Sequence, residues 1–186
     1  MKSDVMVIGI PKSGNNVLEK ACYLLGLKPT HHKHTTDWHL AEKNKVVYIY
    51  RNPRNVLLSA VRYQNEQVRD STKDISPDKL RDMFYDFFNC SLPYVFRAYE
   101  GWMTSNALII RFEDLISDKD CMDKIADYCG VEKPSYETFK GLYGAKTPTW
   151  SGKLSDWQEV WCPEIDKIWK DEGMLEIEQS LGYFNG

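Results

Sequence analysis

The sequence predicts an α/β fold: a central parallel sheet of four or five short strands with helices on both faces. Two stretches carry that expectation. Val5–Ile10 is a short apolar run without charge, as a buried parallel strand requires. A turn containing Gly9, Pro11 and Gly14 leads from it into a helical pattern over Val17–Leu27, closed by Gly26. Val46–Tyr50 is β-branched and aromatic, stops at Arg51-Asn52-Pro53, and leads into a second helix over residues 54–63.

Length and composition narrow the class. A chain of 186 residues fits one domain, residues 1–186, able to bury roughly 70% of its unfolded surface. With 42% hydrophobic and 27% charged residues, it has the composition of a soluble globular protein. A formal net charge of −3 supplies no global basic field for nucleic acid, so any anion site has to be local. The apolar run after Met1-Lys2-Ser3-Asp4 is too short for a signal peptide or a membrane span. Five cysteines, an odd number without a Cys-x-x-Cys pair, point to free thiols in a reducing cytoplasm and away from structural zinc.

The first turn is the most informative stretch. A helix that begins after a Gly-containing turn offers unpaired backbone N–H groups and the positive end of its dipole to an anion. Gly9 and Gly14 have the spacing of the front half of a nucleotide-binding P-loop, but Asn15-Asn16 stand where that loop has its Lys and its Mg²⁺-holding hydroxyl. The lysine lies inside the turn, at Lys12. Such a turn suits Mg-nucleoside triphosphate poorly. It suits a phosphate cradled by backbone N–H groups, Ser13 and the Asn amides, with Lys12 over the bond that breaks. An ordinary strand-to-helix connection in which Lys12 is a solvated charge is the plain alternative.

Further along, Lys28-Pro29 ends the first helix, and four histidines follow at positions 31, 32, 34 and 39. A transition-metal site, a polar strand and loop without a task, and a general base at a strand end are the three readings. Arg51 stands at the C-terminal edge of a strand, where open α/β sheets bind ligands. Asn52 suits the N-cap and Pro53 the first turn of the next helix, which carries Ser59 within reach of the same crevice. A surface Arg and an exposed helical Ser are the plain alternative. Residues 71–101 are helical, with Pro77 near an N-terminus. Their aromatic group Met83, Phe84, Tyr85, Phe87 and Phe88 suits core packing or the wall of a pocket for an aromatic or lipid-like alcohol. Asp118–Gly130 is a helix with Ile125 and Ala126 inward, residues 144–157 form a loop rich in Gly, Pro, Ser and Thr, and Pro163–Lys170 and Met174–Ser180 are closing helices over one sheet face.

Several of these segments resemble the sulfotransferase family, whose P-loop-like three-layer fold binds 3′-phosphoadenosine 5′-phosphosulfate (PAPS) and releases the bisphosphate PAP. Pro11-Lys12-Ser13-Gly14-Asn15-Asn16 is similar to the family's Pro-Lys-Ser-Gly-Thr-Thr loop on the 5′-phosphosulfate. Tyr50-Arg51-Asn52-Pro53 with Ser59 resembles the motif whose Arg and Ser hold the 3′-phosphate. Ile109–Leu115, Ser151-Gly152-Lys153-Leu154-Ser155-Asp156-Trp157 and Leu181-Gly182-Tyr183 resemble later family segments, in the right order.

The resemblance implies metal-independent, in-line transfer of sulfonate from PAPS to a hydroxyl or amine of a small-molecule, carbohydrate or lipid acceptor. It implies Lys12 at the leaving oxygen, with Ser13 holding Lys12 away until acceptor binds, and a histidine after the second strand as base: His34 first, His32 second. It also implies cofactor contacts from Pro11 through Asn16, from Arg51 and Ser59, from Phe139 near the adenine, and from Ser151, Gly152 and Lys153. Three departures stand out: Asn15 and Asn16 in place of two threonines, Val17 where an adenine-stacking Trp is common, and Trp150-Ser151 in place of Arg-Lys. The other readings are a P-loop small-molecule kinase using Mg-ATP, and a non-catalytic domain that keeps nucleotide binding or only the fold.

Overall fold

A computed structural model describes residues 4–31, 34–64, 76–142, 157–159 and 161–183. The chain divides into two compact units, one of Met1–Arg51 with Tyr99–Leu154 and one of Asn52–Ala98 with Ser155–Gly186.

The first unit holds the sheet. Four parallel strands, β1 (Asp4–Gly9), β2 (Lys28–His31), β3 (Val46–Tyr50) and β4 (Leu108–Arg111), lie in the order β2-β1-β3-β4. β1 and β3 are central, which explains why their sequences read as nearly unbroken apolar runs. β2 is an edge strand, the one place where Pro29 is tolerated in a ladder. Among the described residues the sheet has four strands, the lower of the two numbers expected.

Side chains alternate across it. Val5, Val7, Val47, Ile49 and Ile110 face a core shared with α1 (Asn15–Leu24), α6 (Phe112–Ser117), α7 (Lys119–Cys129) and α8 (Tyr136–Leu142). On the opposite face Tyr48 stacks on Trp102 of α5 (Glu100–Met103), with ring centroids 5.7 Å apart and planes 8° from parallel. The aromatic pair is fully buried.

Element boundaries moved for local reasons. α1 starts at Asn15, two residues before the apolar pattern, because Gly14 at its N-cap takes a left-handed conformation and turns the chain straight into the helix. It ends at Leu24, where Gly26 N–H donates to the Tyr23 carbonyl and Leu27 N–H to that of Cys22. α7 begins after Asp118, whose carboxylate accepts the Asp120 N–H at 2.9 Å.

The second unit is helical: α2 (Pro53–Gln64), α3 (Pro77–Phe88), α4 (Leu92–Arg97), α9 (Pro163–Asp171) and α10 (Met174–Ser180). Asn52 Oδ1 accepts the Arg54 N–H at 2.9 Å at the start of α2, the capping role expected of it. The stretch expected to be helical over 71–101 is broken after Phe88, because Asn89 adopts a left-handed conformation. Met83 and Phe84 of its aromatic group are buried, as core side chains are, and Tyr85 donates its hydroxyl to Glu172 at 2.9 Å. Among the described residues no helix is long and apolar enough to cross a membrane.

Candidate functional site

The loop between β1 and α1 is built so tightly that two of its residues have to be glycine. A Cβ added to Gly9 would lie 2.5 Å from the Ile49 carbonyl oxygen and 2.6 Å from Ser13 Oγ. A Cβ added to Gly14, whose φ is 109°, would fall on the ring of Phe112. Neither neighbour at Gly9 is a flexible tip, so Gly9→Ala is expected to cost about 1–3 kcal/mol, read as a lower urea midpoint at unchanged slope. A midpoint equal to that of the unmodified protein would mean that the loop is looser than its geometry indicates.

Inside this loop, side chains brace the backbone. Ser13 is fully buried; its hydroxyl donates to the Ile10 carbonyl at 2.7 Å, and its N–H donates to the same oxygen at 3.0 Å. Asn15, also buried, donates its side-chain amide to Ile10 O at 3.1 Å and Gly9 O at 3.4 Å. The Ser13 hydroxyl proton and the Asn15 amide NH2 are therefore engaged by carbonyls of the loop.

The lysine of the loop is Lys12. Its φ of 71° lies in the left-handed region, which a lysine adopts only at a cost, and such strain gathers at functional sites. It is half-buried, and that burial lowers its ammonium pKa from 10.5 to about 8. Arg51 follows β3 and is 6% exposed; its guanidinium donates from Nη1 to the Lys12 carbonyl at 3.3 Å and lies 4.4 Å from the centroid of the Phe112 ring. One ring therefore touches both Gly14 and Arg51. Sequence reasoning passed over Phe112, although its position one residue beyond β4, the neighbour of β3, was a signal.

His34, three residues beyond the end of β2, meets the same loop. Its Nδ1 lies 3.0 Å from the Gly9 carbonyl oxygen. A carbonyl only accepts, so Nδ1 carries the proton, and Nε2 of the neutral ring keeps its lone pair. The remaining described histidines differ: His39 pairs with Glu42 at 2.7 Å and stacks on Trp38, and His31 lies within β2. Among the described residues no three His, Cys, Asp or Glu side chains gather as metal ligands.

The other residues expected at a site fall into three groups. Val17 and Phe139 are buried in the core, at 2% and 6% exposure, and neither offers a face for a base to stack on. Ser59 belongs to the second unit, half-buried on α2. Pro11 and Asn16, both half-buried, flank Lys12 and the first turn of α1. His32, Ser151, Gly152 and Lys153 lie outside the described residues, as does Trp150.

A parallel sheet whose first strand feeds a glycine-bound loop, with a lysine inside it and an arginine from the next central strand, defines the P-loop-like α/β class. Within that class the chain belongs to the sulfotransferase domain family, whose model matches residues 27–142. The match begins after the glycine loop, so the loop's geometry is an independent observation. Among solved structures, the crystal structure of mouse sulfotransferase SULT7A1 complexed with PAP is similar over 92% of this chain and 83% of its own, at 16% identity and a TM-score of 0.66. No curated protein sequence matches the chain.

Proposed function

We propose that this protein transfers a sulfonate group from PAPS to a hydroxyl or amine of a small-molecule, carbohydrate or lipid acceptor, in the cytoplasm and without a metal ion. One observation carries the proposal: Lys12, Arg51 and the proton-accepting tautomer of His34 all fasten to one glycine-bound loop at the ends of β1 and β3. The residues fit an anionic nucleotide, because the loop leaves no room for a Cβ at Gly9 or Gly14 and places two cations beside a helix N-terminus. When bound, PAPS supplies a sulfonate already activated on a 5′-phosphate. Lys12 and the first-turn N–H groups of α1 neutralise the charge that grows on the leaving oxygen. His34 Nε2 takes the acceptor proton. Arg51 holds the 3′-phosphate that distinguishes PAPS from ATP, a task the family resemblance assigns to Ser59 as well.

The pH dependence of PAP binding tests the reading. In the free protein Lys12 loses its proton near pH 8, and a bound phosphate favours the charged amine and raises that value. Binding above pH 8 therefore takes up a proton, and affinity falls as pH rises, by at most tenfold per unit. At PAP near 100 times its dissociation constant, the fold should gain about 2.7 kcal/mol in stability at pH 7, and at the same PAP concentration visibly less at pH 9. Stabilisation by Mg-ATP with none by PAP would replace the proposal with a kinase. Stabilisation by PAP without transfer of labelled sulfonate across an acceptor library would leave a nucleotide-binding domain that does no chemistry.

A further inference from the structure

The segment that carries His34 is held from a part of the chain more than 60 residues away. Tyr99 donates its hydroxyl to the His34 carbonyl at 3.0 Å, and Trp102 donates its indole N–H to the Thr35 carbonyl at 3.0 Å. Both donors are buried, Trp102 completely and Tyr99 to 7% exposure. Between them, Gly101 has no side chain because Trp38 occupies that space: a Cβ there would fall on the indole. Trp102 in turn stacks flat on Tyr48 of β3, a central strand. Consecutive carbonyls at 34 and 35 and the ring at 38 are thus seated on Tyr-Glu-Gly-Trp, residues 99–102, which is itself locked to the sheet.

We propose that Tyr99 and Trp102 are positioning residues for His34: by fixing the backbone of residues 34 and 35 they hold the imidazole Nδ1–H against the Gly9 carbonyl and so keep Nε2 as the base. The inference rests on the role given to His34 above. The geometry explains why two buried polar tips, each of which needs a partner, find it on a single exposed turn. Burial lifts the Tyr99 hydroxyl to about pKa 12, so it remains a donor throughout any assay range.

Tyr99→Phe removes one oxygen and keeps the ring, and Trp102→Phe removes the second donor. In ¹⁵N-histidine-labelled protein, with the His34 signal assigned by its loss in His34→Ala, Tyr99→Phe is expected to shift the imidazole from the Nδ1–H tautomer toward a mixture. In transfer assays it should lower kcat by about tenfold with KM for PAPS and PAP affinity unchanged, and it should lower kcat no further in the His34→Ala background. An unchanged tautomer in both variants overturns the inference, whatever the enzyme's activity. A shifted tautomer with transfer that His34→Ala leaves at full rate supports the clasp and overturns the role of His34 as base, so the two readings fail separately.

Discussion

Replacing Lys12 by alanine is expected to slow sulfonate transfer by about 100- to 1,000-fold, the usual effect of deleting one preorganised group at a developing oxyanion. PAP binding should weaken far less, because Arg51 and the α1 N-terminus stay in place. A second substitution separates function from scaffold. Lys12 sits at φ 71°, a conformation that glycine adopts freely and lysine does not. Lys12→Gly should therefore lose transfer as completely as Lys12→Ala while its stability stays level or rises by up to about 1 kcal/mol, the relieved strain offsetting the added freedom of the unfolded chain. Initial rates with labelled PAPS and urea unfolding of both variants check this. Turnover near the unmodified rate in either would remove Lys12 from the chemistry, and a large stability loss in Lys12→Gly would make it a structural residue.

Glu178→Ala is expected to destabilise the helical unit by about 3 kcal/mol. Arg54 on α2 and Glu178 on α10 form a bidentate pair, Nε to Oε1 at 2.8 Å and Nη2 to Oε2 at 2.9 Å, with side chains 12% and 5% exposed. The guanidinium also lies 4.3 Å from the Trp157 ring centroid and 4.7 Å from that of Trp161. Removing Glu178 strands a cation among aromatic rings, with Asp166 at 3.8 Å as its nearest remaining partner. Asp166 and the rings hold the cost near the low end for a broken buried pair. The exposed Lys167–Asp171 pair, at 3.1 Å, is the control, and Lys167→Ala should change stability by no more than about 0.5 kcal/mol. Chemical unfolding that gives the same loss for both would show that Arg54 finds solvent easily. The double change Arg54→Met, Glu178→Leu should recover much of the single loss, because no charge is then left buried.

Arg54 illustrates what was hard to read. It lies three residues after Arg51, and nothing in Arg51-Asn52-Pro53-Arg54 says which arginine meets an anion and which meets Glu178, 124 positions later. The loop was easier. Gly9, Lys12 and Gly14 were legible because their spacing encodes a backbone shape, and the structure explains both glycines by what a Cβ would strike. Ser13 and Asn15 were legible as members of the loop but not in direction. Polar side chains of that size suit either a phosphate or a carbonyl, and here the Ile10 carbonyl takes both. Val17 and Phe139 fall in the core because α1 and α8 turn those faces inward, a matter of helix rotation that no short motif carries.

By itself the sequence determined the strand-turn-helix order, the parallel sheet, the glycine positions and the family resemblance, since these follow from local periodicity and steric limits within a few residues. Only the tertiary structure decided that His34 turns Nδ1 to Gly9, that Phe112 lies under Arg51, and that Tyr99 and Trp102 hold the His34 turn. Each of those pairs joins segments more than 20 residues apart, and hydrogen-bond direction and ring stacking are fixed by packing between elements rather than by the order of residues within one.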